Sequence, residues 1–438
     1  MSKITSYKVI KTLQDKGYQA LYAGGCVRDM LLSIKPKDFD IVTNALPDEV
    51  EAIFPKTIPI GKDFGIIMAI VDDHEFEIAT FRQDSDSSDG RRPDEVMFTE
   101  AKEDAQRRDF TINGIFMDPV TTEILDFVGG KEDLDMKVVR FIGDPSTRIQ
   151  EDHLRMLRAV RFKNNLDFQY HPDTYKAIKQ HSHLILDISQ ERIQQELVKM
   201  LRDKNRAQSI KDLEDLGLLE HILPEIQAMK GIGQPPEFHK EGDTFDHTML
   251  CLENMPEGLN DSLYWAVMFH DCGKADTFDY NDGRITFYDH ASVSGDHARH
   301  RLKILRFSKR FIEHVAWLCD HHMTLFQIFD LKKETRIKWY CKEWFLDLLE
   351  VHKYDVLGTI PSDLSNYHKI DKMYSEETSH LPPELPKLIS GKDVMDILNI
   401  EPGPRVQEVL DKVHEKQLLG EIQTEEAAQK YLNKIKNG

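Results

Sequence analysis

No apolar stretch in these 438 residues approaches the roughly 20 needed to span a bilayer. The N-terminal segment, 1–17, is amphipathic and dotted with Lys, and it lacks the apolar core of a signal peptide. Cysteine is scarce. Cys26, Cys251, Cys272, Cys319 and Cys341 are odd in number, widely spaced and without a C-x-x-C. That excludes a disulfide scaffold and fits a reducing, cytoplasmic setting. A surplus of positive charge is also missing: 57 Lys and Arg against 76 Asp and Glu leave a formal charge of −19. A surface sticky to nucleic acid all over is thereby excluded, but a local basic channel is not, because binding needs only a patch. No internal repeat is visible. The 40% apolar and 30% charged content reads as soluble and globular, with length for two to four domains.

Residues 1–140 have a mixed α/β pattern. A helix ends at Gly17, Ala20–Ala23 leads into Gly24-Gly25, and a helix restarts over Val27–Leu32. Strands are predicted at Phe39–Val42, Ile66–Val71, Glu75–Phe81 and Glu95–Phe98, with a polar loop at 83–90. From Pro145 the pattern turns helical. Punctuation at Gly231–Pro236 and Leu381–Pro386 divides the chain into 1–140, 141–232, a His-rich 233–370 and a helical tail, 371–438.

The chemistry starts at Lys37-Asp38-Phe39-Asp40. On a strand, acids at i and i+2 share a face and repel unless a cation lies between them; a Mg²⁺ pair completed by substrate phosphates is one solution. An isolated D-x-D is more often a solvated strand end, so the neighbours decide. Before it, Gly24-Gly25 opens a helix, which lets a triphosphate approach the backbone, and Arg28 can clamp phosphate oxygens. Glu77, on a later strand, is a possible third acid or plain strand-edge charge. Arg107-Arg108-Asp109 can serve phosphate and ribose, or form an ordinary salt-bridged turn. In 151–162, Asp152, Arg155, Arg158 and Arg161 recur every three residues and would share a slowly drifting helical face. A carboxylate beside a guanidinium can read a free base. Asp152 would accept from the amine of cytosine or adenine, and Arg155 would donate to the ring acceptor. Guanine and uracil offer a carbonyl and an N–H instead.

These motifs, in this order, resemble class II tRNA nucleotidyltransferases, the CCA-adding enzymes and bacterial poly(A) polymerases. The likeness runs from Leu21 to Gly217. It includes Ser88-Asp89-Gly90-Arg91-Arg92-Pro93, Asp126-Phe127-Val128-Gly129-Gly130 and Glu191-Arg192-Ile193-Gln194-Gln195-Glu196-Leu197. The resemblance implies an α+β fold: a small mixed-sheet head, followed by all-α neck, body, HD domain and tail. It also implies Mg²⁺ on Asp38 and Asp40, nucleotide contacts from Gly25, Arg28, Arg108, Arg158 and Arg161, and an amino-acid template, Asp152 with Arg155, that selects CTP and then ATP. The RNA partner implied is the tRNA 3′ acceptor end. The full-length loop over 83–93 argues against a CC-only enzyme and leaves A-only or poly(A) addition open.

In the His-rich part, His247, His270-Asp271 and Asp355 follow the order H…HD…D, a donor set for a divalent metal. His290, His321 and His322 could add a second ion. This segment resembles the HD phosphohydrolase superfamily, which implies hydrolysis of phosphate monoesters or 2′,3′-cyclic phosphates. The competing readings are a helical platform for tRNA and a chain that is mainly an HD phosphohydrolase with a vestigial head.

Overall fold

The structure, a computed structural model, describes residues 3–84, 96–235, 240–281, 283–379 and 386–436. They form two compact units, Met1–Pro224 and Glu225–Gly438. No helix among the described residues is long and apolar enough to cross a membrane.

The first unit carries β1 (Ala20–Ala23), β2 (Ile41–Thr43), β3 (Thr57–Gly61), β4 (Ile66–Val71), β5 (His74–Thr80), a separate hairpin of β6 (Arg82–Asp84) and β7 (Val96–Phe98), then β8 (Ile115–Met117) and β9 (Ile124–Asp126). Seven of these make one sheet in the order β3-β4-β5-β2-β1-β8-β9. Only β2 and β5 run parallel; the other neighbours are antiparallel. Its helices are α1 (Lys3–Asp15), α2 (Gly25–Leu31), α3 (Pro47–Ile53) and α4 (Ala101–Arg107).

The central strand β1 is buried on both faces, and the alternation explains how. Leu21 and Ala23 join Val42, Phe81, Phe116 and, from α4, Ala101 and Ala105 in one apolar cluster. Tyr22, on the other face, meets α1 through a 2.7 Å bond between its hydroxyl and that of Ser6.

After the sheet come α5 (Gly130–Asp135), β10 (Val138–Val139), α6 (Pro145–Glu151), α7 (Arg155–Asn165), β11 (Gln169–Tyr170), α8 (Pro172–His181), α9 (Gln190–Arg202), α10 (Arg206–Asp215), α11 (Leu219–Ile222) and α12 (Pro224–Gln227). Helix α9 buries Ile193, Leu197, Met200 and Leu201 at helical spacing, against α7 and α10.

The second unit continues with α13 (Thr244–Glu253), α14 (Asp261–Phe269), α15 (Lys274–Thr277), β12 (Phe278–Asn281), β13 (Arg284–Phe287), α16 (His290–Ile304), α17 (Lys309–His321), α18 (Lys333–Tyr340), α19 (Phe345–Gly358), α20 (Ser365–Thr378), α21 (Gly391–Leu398), α22 (Pro404–Leu418) and α23 (Glu425–Lys436). Helix α14 is apolar on every side and is wrapped by α13, α16, α17 and α19. The last three helices have a core of their own, built on Val394, Val409, Val413, Ala428 and Leu432.

The mixed-sheet head and helical remainder match the predicted α+β class, with two departures from an all-α second part. Strands β10 and β11 pair over two residues, too short to leave a pattern. Strands β12 and β13 form a hairpin in which Phe278 faces Phe287 and Tyr280 faces Ile285. Cross-strand aromatic pairing, with Gly283 at φ +80°, decides that stretch over the helical tendency of its flanks.

Candidate active site and candidate metal centre

Strand β1 turns through Gly24 into α2. Gly24 has φ +67°, and a Cβ there would come within 2.9 Å of Arg108 Nη1 and 3.8 Å of Asp40 Oδ2. Glycine therefore serves both the turn and the close approach of these groups. Asp38 and Asp40 are exposed and flank Phe39, which is buried against Tyr22 with ring centroids 5.3 Å apart. The strand begins only at Ile41, so the acids precede it. The alternation still reaches back, because Ala23 N donates to Asp40 O at 3.1 Å.

The register of β2 with β5, Ile41 opposite Ile78, brings Glu77 alongside. Burial, then the charges of Asp40 and Asp38, push the Glu77 carboxyl up. Asp40 presents one edge to the cavity while protein encloses the rest. That enclosure raises its carboxyl, Arg108 pulls it down, and Asp38 raises it further. Acids that increase one another's proton affinity form a site short of positive charge, which a divalent cation fits.

Beside Asp40 opens a cavity of about 460 Å³. Its walls are Gly24, Gly25 and Arg28 from the turn, Arg107, Arg108, Asp109 and Asn113 beyond α4, and Asp152, Arg155, Arg158 and Phe162 around α7. Five arginines against three aspartates make this a locally basic pocket in an acidic chain. The arginines are pinned. Arg28 donates to Asp29 Oδ1 at 2.6 and 2.9 Å and to Asn113 Oδ1 at 2.7 Å. Arg107 and Arg108 share the fully buried Asp104. Phe162 lies under Arg28, Arg158 and Arg161, 4.2 to 5.2 Å from ring centroid to guanidinium.

Asp109 is not free for a ribose. Its Oδ2 accepts from Arg158 at 2.6 and 2.8 Å, and its Oδ1 accepts from Asn113 and the Phe110 amide at 3.0 and 2.8 Å. It thereby links Arg158, through Asn113, to Arg28. Burial opposes its charge, but Arg158 and Asn113 outweigh burial and hold the carboxyl down to about 2. A depressed acid stabilises the fold above its unfolded value of 3.8, and the contribution fades as pH falls through about 2. Asp109→Asn should therefore cost about 2 kcal/mol near neutral pH. It should also flatten the loss of stability between about pH 4 and 2, read by urea unfolding across pH. An unchanged acid limb would reject that assignment.

The expected run of Asp152, Arg155, Arg158 and Arg161 along one helix is corrected by the backbone. Helix α6 stops at Glu151, Asp152 is extended at φ −152°, and α7 starts at Arg155. The reason is local: the Asp152 carboxylate accepts from Leu154 N at 3.1 Å, a turn that competes with helix. Asp152 also accepts from Arg192 of α9 at 2.8 Å, and Arg155 donates to Glu151 at 2.6 Å. Both still line the cavity. Arg161 does not; its Nε donates to the buried Glu196 of α9 at 2.5 Å. Asp38 likewise lies outside the wall. Arg192 and Glu196 belong to the 191–197 motif, whose charges inside an apolar helical pattern were the available signal. Asn113 and Phe162 had no signal of their own. Of the specificity loop at 83–93, residues 85–93 lie outside the described residues.

The second unit gathers the predicted His247, His270, Asp271 and Asp355. Two groups of three or more metal-capable side chains occur among the described residues, His247/Cys251/His270/Asp355 and Asp271/His290/His322. All are buried. His270 Nδ1 donates to Val267 O at 2.7 Å, His290 Nδ1 to Phe287 O at 2.8 Å and His322 Nδ1 to Cys319 O at 2.7 Å. His247 Nδ1 lies 3.0 Å from Glu241 Oε1 and 3.2 Å from Gly358 O. Each ring thus turns Nε2 inward. His290 and His322 bring theirs within 3.2 Å of each other.

Asp271 spans the two groups, with Oδ2 3.3 Å from His270 and Oδ1 3.4 and 3.6 Å from His290 and His322. Burial disfavours a charged His270, yet Asp271 and then Asp355 outweigh it and push the ring up to about 10. Inward lone pairs beside two carboxylates fit a divalent metal. His290 and His322 join the centre. His321 does not; it stacks on Trp317, centroids 4.7 Å apart. Cys251, one helical turn after His247, escaped the sequence reading although the i,i+4 spacing pointed to it.

A glycine turn leading out of a mixed sheet, acids entering the next strand and a pocket of anchored arginines define a nucleotidyltransferase head. The poly(A) polymerase head-domain model matches residues 20–140. The model described as "Probable RNA and SrmB-binding site of polymerase A" matches 167–230, and a tRNA nucleotidyltransferase domain 2 model matches 284–430. The CCA-adding enzyme of Bacillus pumilus is 44% identical over 215 residues, 49% of this chain and 54% of that one, so that alignment spans about half of each. The CCA-adding enzyme of Ligilactobacillus salivarius is 31% identical across 94% of this chain and 92% of its own length. A crystal structure of the Bacillus stearothermophilus CCA-adding enzyme with CTP superposes with a TM-score of 0.75 at 25% identity, covering 100% of this chain and 98% of that one. The chain belongs to the CCA-adding enzyme family.

Proposed function

We propose that this chain is a Mg²⁺-dependent, cytoplasmic tRNA nucleotidyltransferase that adds C and then A, from CTP and ATP, to the tRNA 3′ end with release of pyrophosphate. One observation carries the reading: a single basic cavity joins the Gly24-Gly25 turn and Asp40 to Asp152 and Arg155.

Asp38 and Asp40 hold the metal, with Glu77 beside them. When bound, Mg²⁺ lowers the cost of ionising the attacking 3′-hydroxyl and neutralises the departing pyrophosphate. The Gly24-Gly25 backbone leaves room for the triphosphate. Arg28 and Arg108 hold its oxygens, kept in place by Asn113 and Asp104. Asp152, gripped by Arg192, accepts from the base amine, and Arg155 donates to the ring acceptor. Arg158 holds the nucleotide wall through Asp109, and Arg161 supports it from behind through Glu196. In this reading 1–140 is the catalytic head, 141–232 the neck and body that select the nucleotide and bind RNA, 233–370 the HD domain and 371–438 the tail.

The test supplies the purified protein with transcripts ending before CCA, after C and after CC, and labelled CTP or ATP. Incorporation of both nucleotides in the right order is the expected result. ATP labelling of the CC-ended transcript alone would replace the reading by A-only addition, and untemplated A-runs would replace it by poly(A) synthesis. No incorporation on any transcript would reject the transferase reading.

A second activity is favoured by the four inward imidazoles. They point to a metal-dependent HD phosphohydrolase. His247, His270 and Asp355 would hold one ion, and Asp271, His290 and His322 a second. The metals supply a hydroxide and polarise the phosphate when bound. Opening of a 2′,3′-cyclic phosphate RNA end by water to a terminal phosphate monoester, dependent on added divalent metal and lost in His270→Ala, is the expected outcome. The intact head pocket weighs against a chain that is mainly a hydrolase.

A further inference from the structure

We propose that Cys251 is a ligand of the metal centre, so that His247, Cys251, His270 and Asp355 form a four-donor N₂SO site for a zinc-class cation rather than Mg²⁺. The inference rests on the reading of this cluster as a metal centre and adds to it the identity of one ligand and of the metal.

The distances carry the argument. Tetrahedral bonds of usual zinc lengths place a nitrogen and a sulfur ligand about 3.6 Å apart, and a nitrogen and an oxygen about 3.4 Å apart. Cys251 Sγ is 3.4 Å from His247 Nε2. Asp355 Oδ1 is 3.1 Å from His247 Nε2 and 3.6 Å from His270 Nε2. The four donor atoms all lie within 4.8 Å of one another. Three of the six separations are thus already near those that one small ion imposes, and the rest lie within 4.8 Å.

Two further observations point the same way. His270 Nε2 is buried and makes no hydrogen bond of acceptable geometry, although its Nδ1 is committed to Val267 O. A buried, inward nitrogen without a hydrogen-bond partner is costly, and a metal that displaces its proton would satisfy it. Gly358 of α19 backs the thiol: a Cβ at 358 would fall 2.2 Å from Cys251 Sγ. Absence of a side chain there leaves the sulfur its place beside His247. Sγ also lies 3.9 Å from the Asp355 carbonyl.

The donor chemistry selects the ion. Mg²⁺ takes oxygen ligands and gives up water reluctantly, whereas a thiolate with two imidazoles and one carboxylate suits zinc. The Asp271/His290/His322 group has no sulfur. The two positions are therefore unequal, and the sulfur-bearing one should fill first and release its metal last.

The full-length protein, stripped with chelator and loaded with Co²⁺, tests this. The expected result is a thiolate-to-cobalt charge-transfer band in the near ultraviolet, present in wild type and in Cys341→Ser and lost in Cys251→Ser. That variant should keep the visible cobalt bands and an unchanged circular dichroism spectrum. Its affinity for Zn²⁺ at the tighter position should fall by more than the roughly 10–100-fold that loss of an outer-shell partner costs. Cobalt bound by wild type without the band, or a band that survives in Cys251→Ser, would overturn the proposal while leaving the metal centre standing. No uptake of Co²⁺ or Zn²⁺ by wild type would overturn both.

Discussion

Asp40→Ala is expected to lower CTP and ATP incorporation by roughly 10³-fold or more, the equivalent of about 4 kcal/mol of transition-state stabilisation. The magnitude follows from position. Of the three acids Asp38, Asp40 and Glu77, Asp40 is the one that lines the cavity, and it lies near Arg108 and Arg28. Its loss would remove the proposed metal ligand and one of the two carboxylates near Arg108, the other being Asp104. Single-turnover rates with a CC-ended transcript and ATP, at saturating nucleotide, measure it. A loss confined to KM, with the single-turnover rate kept, would place Asp40 in uniform binding and not in the reaction. Glu77→Gln, one strand away and not in the cavity wall, should cost less; equal losses would make the third acid a full ligand.

Replacement of Asp152 by Ala should have the second-largest effect, and its signature is selectivity rather than rate alone. The carboxylate is held between Arg192 and the Leu154 amide, facing the cavity that also receives Arg155. Without it, on the proposed reading, the amine of cytosine or adenine would lose its acceptor, and the carbonyl of uracil or guanine would no longer meet a negative group. Incorporation of CTP and ATP should fall by roughly 10²-fold, and discrimination against UTP and GTP should shrink by a comparable factor. Competition between labelled CTP and UTP on one transcript reads the ratio directly. Discrimination kept at the wild-type value would move base selection elsewhere. Arg192→Ala should reproduce a weaker form of the defect, because the carboxylate remains and only its grip is lost.

Much of the candidate site was readable before any coordinates. Gly25, Arg28, Asp40, Arg108, Asp152, Arg155 and Arg158 were named from motif chemistry and meet in one cavity. The signals were local: glycines at a strand–helix turn, acids two apart, charged residues in an apolar helical pattern. The misplaced features depend on contacts that no local pattern records. Asp152 leaves the helix because its own carboxylate binds the next turn's amide. Arg161 turns to Glu196, thirty-five residues later. Asp109, which by its motif could serve a ribose or a salt-bridged turn, spends both oxygens on Arg158, Asn113 and its neighbour's amide.

The same division holds in the second unit. The order His247, His270-Asp271, Asp355 was legible because two adjacent candidate ligands and an apolar run before them are a local pattern. Whether His290, His321 or His322 belonged was not, since adjacent residues on a helix point about 100° apart and only packing decides which faces inward. His322 meets Asp271, and His321 stacks on Trp317.

By itself, then, the sequence determined the class of fold and named most candidate residues of both centres, because those follow from residue type and short-range spacing. Only the tertiary structure decided which guanidinium faces the cavity, which carboxylate is already spent, and that a cysteine shares the cluster with two histidines and an aspartate. Those outcomes depend on the burial of charged groups beside partners distant in the chain. A buried charge takes the partner that packing supplies, not the one that spacing suggests.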